Sequence, residues 1–350
     1  MKVVTEDIKS IVDKVDFSDL EGKTVLISGA AGFLGSYFIA VFQYLNHQVF
    51  KNPCRVLAID NYITGSKKNL LSKVQDKNIV YKEMDISLGI GEFEDEKIDY
   101  IVHAAGLASP IYYRKFPIES INCTVLGLHH LLRCAKNNAI KSFLFFSSSE
   151  IYGNPREDEV PTKETYNGNV SCIGPRSCYD EAKRLGETMC LSYYKTHKTP
   201  VKWVRPFNVY GPGMKIDDDR VVPKFLFQAL ARKPLTIHIP GLQTRTFTYV
   251  TDAMIGFFKV LLEGKNGEVY NIGRDSGELR MEDLAEKVNG LFKNKLHIVK
   301  VEMPEEYPSD QAQRRLPDIT KAREHFGFEP IVPIEEGLAR MLSWCKTQVR

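Results

Sequence analysis

Tyr179 and Lys183 stand four residues apart in the segment 171–190, SCIGPRSCYDEAKRLGETMC. On a helix that spacing puts both side chains on one face, with the ammonium beside the phenol oxygen. A unit positive charge about 4 Å away, at an effective dielectric near 20, is worth roughly 4 kcal/mol, or about three pKa units, to a phenol that ordinarily titrates near 10. The pair therefore predicts a tyrosine that serves as a base near neutral pH. An exposed helix face also carries aromatic and lysine pairs at this spacing, so the surrounding elements must decide between the two.

Those elements begin with Gly29, Gly32 and Gly35 in GAAGFLG, between a strand at 23–28 (KTVLIS) and an apolar helix through residue 44 that starts with Phe33 and Leu34. Glycine at the first, fourth and seventh positions allows a tight turn, close approach of backbone to a pyrophosphate, and close packing of helix on strand. The helix N-terminus then offers unpaired N–H groups to phosphates. A second strand, 55–59, ends in Asp60 and Asn61. An acidic residue there accepts hydrogen bonds from ribose hydroxyls and favours NAD over its phosphorylated form. The strand at 79–82 leads to Asp85 and Ile86, placed to reach the adenine, and the strand at 100–105 leads to Ala104, Ala105 and Gly106, small enough for a cofactor to lie against the backbone. After a helix at 117–136 and a buried strand at 142–147 come Ser148, Ser149 and Glu150, at the strand end where open α/β sheets bind ligands.

This alternation predicts an α/β fold: a Rossmann-like doubly wound parallel sheet with a smaller, interleaved α/β substrate-binding region. A sixth strand at 201–205 runs into PFNVYGPG (206–213), which breaks the rhythm and starts that region. The pieces beyond are short. They comprise a helix at 222–231, a strand at 235–237, an alternating strand at 243–250 (QTRTFTYV), and a helix at 251–262 capped by Thr251 or Asp252. A strand at 268–272, a helix at 281–291, a strand at 297–301, a polar loop at 313–319 and an amphipathic helix at 334–347 complete the chain. Residues 1–17 read as a short amphipathic helix ahead of the first strand.

Composition narrows the function classes. The chain has 350 residues, enough to bury a full core, and a net charge of +3 that is too small and dispersed to argue for nucleic acid. Seven cysteines, an odd number without a CxxC pair, read as reduced thiols in a cytoplasmic protein with neither a disulfide framework nor a zinc site. No run of about eighteen apolar residues occurs, so no membrane span is expected.

The glycine triplet, Tyr179 with Lys183, and RPFNVYG (205–211) together resemble the extended short-chain dehydrogenase/reductase family, the NAD-dependent epimerase/dehydratase family that modifies nucleotide sugars. Within it the chain is most similar to the UDP-glucuronate decarboxylases, or UDP-xylose synthases. The similarity spans about residues 22–342 and is densest at SSSEIYG (147–153), the 173–190 stretch, RVVPKF (220–225), QTRTFTYV and RRLPDITKA (314–322). It implies Tyr179 as base, Lys183 as its electrostatic partner and ribose ligand, Ser148 and Ser149 as hydrogen-bond donors to the sugar, and Glu150 beside the sugar ring. It implies Asn208, Arg220 with Val221, and Arg245 on the nucleotide diphosphate, Tyr249 close by, and Arg315 near the sugar carboxylate.

One position separates the branches of the family. The 4,6-dehydratases usually carry an Asp-Glu pair where this chain has Ser149-Glu150, and serine is a poor acid for expelling hydroxide. Simple 4-epimerases usually lack the carboxylate. Glutamate without aspartate, plus Arg315, implies decarboxylation of a UDP-hexuronate: oxidation at C4, loss of carbon dioxide, and re-reduction. A 4,6-dehydratase or 4-epimerase of a surface-polysaccharide pathway is the alternative. A dead cofactor-binding scaffold would be expected to lack the tyrosine and lysine that are present. The chain departs from the decarboxylases at 103–110, where HAAGLASP stands in place of HLASPASP, and in a longer segment at 46–53. The resemblance further implies an NAD-binding domain at 1–207 with a return segment about 246–270, a nucleotide-sugar-binding domain at 208–245 and 271–350, and a homodimer through the helices at 117–136 and 179–196. Leu126, Leu185 and Met189 suit such contacts and equally ordinary core packing.

Overall fold

The computed structural model describes residues 2–66, 71, 76–215, 218–239, 241–302 and 312–348. After α1 (Lys2–Val12) the chain alternates through β1 (Thr24–Ser28), α2 (Phe33–Gln48), β2 (Arg55–Asp60), β3 (Ile79–Glu83), β4 (Tyr100–His103), α3 (Pro110–Lys115), α4 (Pro117–Asn138), β5 (Ser142–Phe146), α5 (Ser177–His197) and β6 (Val201–Pro206). Shorter elements follow: β7 (Val209–Tyr210), α6 (Val221–Leu230), β8 (Leu235–His238), β9 (Thr244–Arg245), β10 (Thr248–Tyr249), α7 (Val250–Glu263) and β11 (Val269–Ile272). The last are β12 (Leu279–Arg280), α8 (Met281–Gly290), β13 (Ile298–Val301), β14 (Arg314–Arg315), α9 (Thr320–Phe326) and α10 (Ile334–Gln348).

Seven strands form one all-parallel sheet in the order β11-β6-β5-β4-β1-β2-β3. Its central strands β1, β4 and β5 read as nearly unbroken apolar runs because both faces are covered. Val25, Ile27, Val56, Ala58, Leu144 and Phe146 point into one core, shared with α1, α2 and α7. Leu26, Leu57, Ile59, Phe143 and Phe145 point into the other, shared with α4 and α5. Strand order reverses between β1 and β4, and the crevice at their carboxyl ends is where such a sheet takes a ligand.

The smaller region differs from the sequence reading in several places. The alternating run 243–250 does not make one strand. Thr244–Arg245 pairs with β12 and β14, whereas Thr248–Tyr249 pairs with β7. Alternation fixes which face each residue shows, but not which neighbour it joins. Helix α7 starts at Val250, so Thr251 and Asp252 lie within its first turn and cap nothing; Asp252 instead accepts the Val332 N–H at 2.8 Å. The segment read as a polar loop at 313–319 contains β14, and the strand expected to reach residue 105 ends at His103. Among the described residues, no helix is long and apolar enough to cross a membrane.

Candidate active site

The groove at the strand switch is built from the β1–α2 turn. Gly29 has φ +75°, and a Cβ there would lie 2.6 Å from the Cα and N of Ala105, so the turn rests directly on the end of β4. Gly32 precedes α2 without a side-chain cap, which leaves the first-turn N–H groups to whatever enters the groove. Phe33, Leu34 and Gly35 line the inner part of the groove, and Asp60, Asn61, Ile86, Ala104 and Ala105 its outer part. Gly106 lines both. The Asp60 carboxylate accepts the N–H groups of Ala31 at 2.9 Å and Tyr62 at 2.8 Å, and burial raises its pKa. Asp85 does not line the groove as expected. Its carboxylate accepts both the N–H and the hydroxyl of Ser87, at 2.9 and 2.7 Å, and so turns back on its own chain.

Helix α5 brings Tyr179 and Lys183 to the inner end, 4% and 3% exposed. Lys183 Nζ donates to the Phe146 carbonyl at 2.7 Å and lies 5.7 Å from the centre of the Tyr179 ring. Burial lowers Lys183 to about 8, which still leaves it charged at neutral pH. The near-neutral tyrosine is not found. Burial pushes Tyr179 up to about 12, the nearby carboxylates of Glu150 and Asp180 add to the rise, and a hydrogen bond with Ser148 only moderates it. The lysine charge is spent on the Phe146 carbonyl and the Phe145 ring face, 5.1 Å away. Two departures from the decarboxylase pattern have local reasons here. A Cβ on Gly106 would come within 3.2 Å of Lys183 Nζ, and Leu107 packs with Tyr113 and Tyr179. Tyr113 stacks on Tyr179 with ring centres 5.3 Å apart.

Ser148, Ser149 and Glu150 follow β5. Ser148 Oγ accepts the Glu150 N–H at 3.1 Å, and Ser149 is buried against the groove. Arg315, carried on β14, meets Glu150 through two hydrogen bonds of 2.6 Å each. Arg176, which the sequence reading passed over, closes on the same carboxylate. Burial opposes ionisation of Glu150, but the guanidiniums of Arg176, Arg315 and Arg245 outweigh it and hold the carboxyl below its usual range. The local signal for Arg176 was its i, i+4 spacing from Asp180, 3.5 Å from its Nε; the Glu150 contact needs the fold.

A second groove meets the first at Glu150, Asn208, Arg220 and Arg315, which line both. Asn208 sits at φ +40° with its amide on the Thr246 carbonyl at 2.9 Å. Arg220 precedes α6 and is held by Asp218, Nε to Oδ1 at 3.0 Å, with Val221 beside it in the lining. Arg245 also lines this groove and donates to the carbonyls of Ala312 at 2.6 Å and Thr244 at 2.8 Å. Tyr249, expected near the diphosphate, is elsewhere. It is fully buried and its hydroxyl donates to Asp7 of α1 at 2.8 Å, because the chain between β9 and β10 turns it toward the N-terminal helix.

A family model described as NAD dependent epimerase/dehydratase family matches residues 25–273. The chain belongs to that family. It is 41% identical over 317 residues to UDP-glucuronic acid decarboxylase 6 of Arabidopsis thaliana, covering 91% of this chain and 87% of that one. To UDP-glucuronic acid decarboxylase 1 of Danio rerio it is 36% identical over 327 residues, covering 93% and 73%. Among solved structures, an epimerase from Methanothermobacter thermautotrophicus aligns with a TM-score of 0.81 at 26% identity, covering 98% of this chain and 97% of that one. DesIV, a dTDP-glucose 4,6-dehydratase from Streptomyces venezuelae solved with NAD, aligns with a TM-score of 0.80 at 24% identity over 93% and 97%, a likeness of fold. For a member of the NAD dependent epimerase/dehydratase family the first groove has the required parts: a glycine turn that a side chain would fill, an uncapped helix N-terminus, and an acidic residue at the end of β2. These residues fit NAD. Among the described residues, no group of three or more His, Cys, Asp or Glu is placed to hold a metal ion.

Proposed function

We propose that this chain converts UDP-glucuronate to UDP-xylose, by oxidation at sugar C4, loss of carbon dioxide and re-reduction. The observation that carries the reading is Glu150 clasped by Arg315 where the two grooves meet, with neutral Ser149 rather than an acid before it. The similarity to proteins named UDP-glucuronic acid decarboxylases supports the same reading.

Bound NAD supplies the acceptor for the C4 hydride, its later return, and a positive charge beside the sugar. With the Lys183 ammonium fixed beside it by the Phe146 carbonyl and the positive charge of bound NAD close by, the Tyr179 phenol would ionise more readily than it does with the groove empty, and as the phenolate it takes the proton of the 4-hydroxyl. The resulting ketone lies β to the C5 carboxylate, so the bond from C5 to the carboxyl carbon breaks, carbon dioxide leaves, and the electron pair moves into the ketone. Ser148 and Ser149 donate hydrogen bonds to the enolate oxygen that forms. A proton from solvent then adds to C5 in place of the lost carboxyl, and Tyr179 gives its proton back to the C4 oxygen as the hydride returns to C4. Glu150, held ionised by its guanidiniums, has no proton to contribute; its part is to hold the arginines. Asn208, Arg220 and Arg245 bind the diphosphate end.

On this reading residues 1–207 with about 246–270 bind NAD, and 208–245 with 271–350 bind the nucleotide sugar. The half-exposed Leu126 and Leu185 on α4 and α5 support a homodimer through those helices. Seven unpaired cysteines fit a reducing compartment, the cytoplasm.

Incubation of the purified chain with UDP-glucuronate and NAD tests the reaction. Carbon dioxide and a UDP-pentose, followed by mass spectrometry, are expected. A 4-keto-6-deoxy product from UDP-glucose or dTDP-glucose, with UDP-glucuronate untouched, overturns it.

A further inference from the structure

The connection between β7 and α6 crosses the first groove. Gly213 has φ +93°, and a Cβ there would lie 3.1 Å from Leu71 Cδ2, so this stretch rests on the connection that follows β2. That connection in turn sits on the glycine turn, where a Cβ on Gly65 would come within 2.9 Å of Ala31 Cβ. Two residues on from Gly213, Lys215 Nζ donates to the Tyr112 hydroxyl at 2.9 Å. Tyr112 belongs to α3, which follows β4. Because β1 lies between β2 and β4 in the sheet, residues 213–215 join the two sides of the crevice at the carboxyl end of β1.

Lys215 lines this groove together with the first turn of α2. Among the described residues that line it, four carry a positive charge: Lys183, Lys215, Arg220 and Arg315. Arg315 is held by Glu150 and Arg220 by Asp218, whereas Lys183 and Lys215 each meet a neutral oxygen. Asp218 also feels the Lys215 charge, but its carboxylate is bonded by Arg220. Lys183 stands at the inner end with Tyr179, which leaves Lys215 as the ammonium of the groove without an assigned part. The turn GAAGFLG offers N–H groups and no cation to the two negative charges of a pyrophosphate. An ammonium has three donors, so one bond to Tyr112 anchors it while the others remain for a phosphate oxygen. Such a bond joins two charged partners and is stronger than the one to the hydroxyl.

We propose that Lys215 is a cofactor-retaining residue: anchored on Tyr112, its ammonium pairs with the pyrophosphate of bound NAD and straps the cofactor into the groove. A cofactor that takes a hydride and returns it to the same sugar must not leave in between, and a slow release serves that cycle. The inference needs NAD in the first groove and does not depend on which nucleotide sugar reacts.

The test is binding, measured on the full chain as wild type, Lys215→Met, Lys215→Arg and Tyr112→Phe. Calorimetry reads the affinities for NAD and for UDP, and stopped-flow fluorescence reads the release of NADH. Lys215→Met is expected to weaken NAD roughly tenfold, mostly through faster release, while UDP changes by less than about twofold. Lys215→Arg keeps the charge and should recover most of the loss, and added salt should narrow the gap between wild type and Lys215→Met. Tyr112→Phe removes only the anchor and should cost less than about threefold in NAD affinity. Lys215 is half-buried on a connection, so these variants are expected to fold; Lys215→Gln, with the same expected losses, replaces a methionine variant that does not. Unchanged NAD binding without the lysine overturns the proposal. A loss confined to UDP also overturns it, by giving the ammonium to the diphosphate of the nucleotide sugar. Equal losses in Tyr112→Phe and Lys215→Met do the same, by leaving the lysine as a brace for α3.

Discussion

Lys183 Nζ is anchored on the Phe146 carbonyl at 2.7 Å and faces the Tyr179 ring from 5.7 Å. The ammonium is thus tied to β5, while burial holds the phenol up to about 12. Tyr179→Phe keeps the ring and its stacking on Tyr113 and removes only the hydroxyl. Turnover of UDP-glucuronate should fall by about 10²- to 10⁴-fold, the usual worth of a positioned proton acceptor. NAD affinity, followed by calorimetry, should stay unchanged, because the turn at Gly29 is untouched. A parallel loss of NAD binding would mean that residue 179 shapes the groove rather than the chemistry.

The buried ammonium should also cost stability. Lys183 titrates at about 8 in the folded chain, against roughly 10.4 when unfolded. Between those values the unfolded chain binds more protons, so stability rises with pH across that window, and below about 8 the whole penalty is present. Its order is about 3 kcal/mol. Lys183→Met should therefore melt above the wild type at neutral pH, with the gap closing as pH rises beyond about 8, while turnover is lost. Thermal melts across this range check it; a gap that does not depend on pH would show that something other than the charge is responsible.

Glu150 works in the opposite direction. Its folded-state carboxyl is depressed by Arg176, Arg315 and Arg245 against the effect of burial. The stability it contributes is complete above its unfolded value near 4.3 and disappears as pH falls through the lower folded value. Glu150→Gln should flatten the acid limb of the stability curve and, by removing the buried carboxylate that Arg315 and Arg176 share, lower stability at pH 7 by up to about 3–5 kcal/mol. Urea denaturation at several pH values checks both. Acid limbs of equal slope in the two proteins would contradict the pairing.

Much of this arrangement is legible in the amino-acid sequence, for reasons that also mark where legibility ends. A strand covered on both faces must be apolar throughout, which is why 142–147 reads as a strand and forms β5. The glycine turn reads as a dinucleotide site because Gly29 must do what a side chain would prevent. Two-sheet membership of 243–250 is not legible, since alternation carries no information about partners. Arg176 shows its local partner Asp180 in its spacing, but its contact with Glu150 depends on β5 and α5 lying side by side. Tyr249 follows a family motif by position, while its hydroxyl turns to a residue of α1 that lies outside the matched family span.

That last relationship predicts a division between stability and binding. Asp7 accepts Tyr249 Oη at 2.8 Å and Arg340 NH1 at 2.9 Å, so one buried carboxylate ties α1 to β10 and α10. Tyr249→Phe should cost about 1–3 kcal/mol, the value of leaving a buried acceptor short of a donor. The KM for UDP-glucuronate should remain that of the wild type. Denaturant titration and steady-state kinetics measure the two separately, and a raised KM at unchanged stability would return Tyr249 to the nucleotide.

Asn271 ties together the two segments that bring Glu150 and Arg315 into contact. It lies in β11 and is fully buried, and its Nδ2 donates to the carbonyls of Thr162 and Asp318, each at 2.9 Å. Its Oδ1 accepts the Tyr152 hydroxyl at 2.8 Å. Thr162 belongs to the connection between β5 and α5 that also carries Glu150, and Asp318 follows Arg315 closely. The two stretches are further joined by Thr162 N–H to the Leu316 carbonyl and Asp318 N–H to the Thr162 carbonyl, both at 2.9 Å. Asn271→Asp replaces the donor with an oxygen facing two carbonyls, a loss of about 2–4 kcal/mol when the individual bonds are weighed. If the amide positions the pair, the variant should also lose roughly tenfold in kcat, because a small displacement of Arg315 is felt at the reacting carbon. Its NAD affinity should be unchanged, since three strands separate β11 from β1 and its turn in the sheet order. Wild-type kcat in a destabilised variant would mean that the backbone pairing alone sets the position of Arg315.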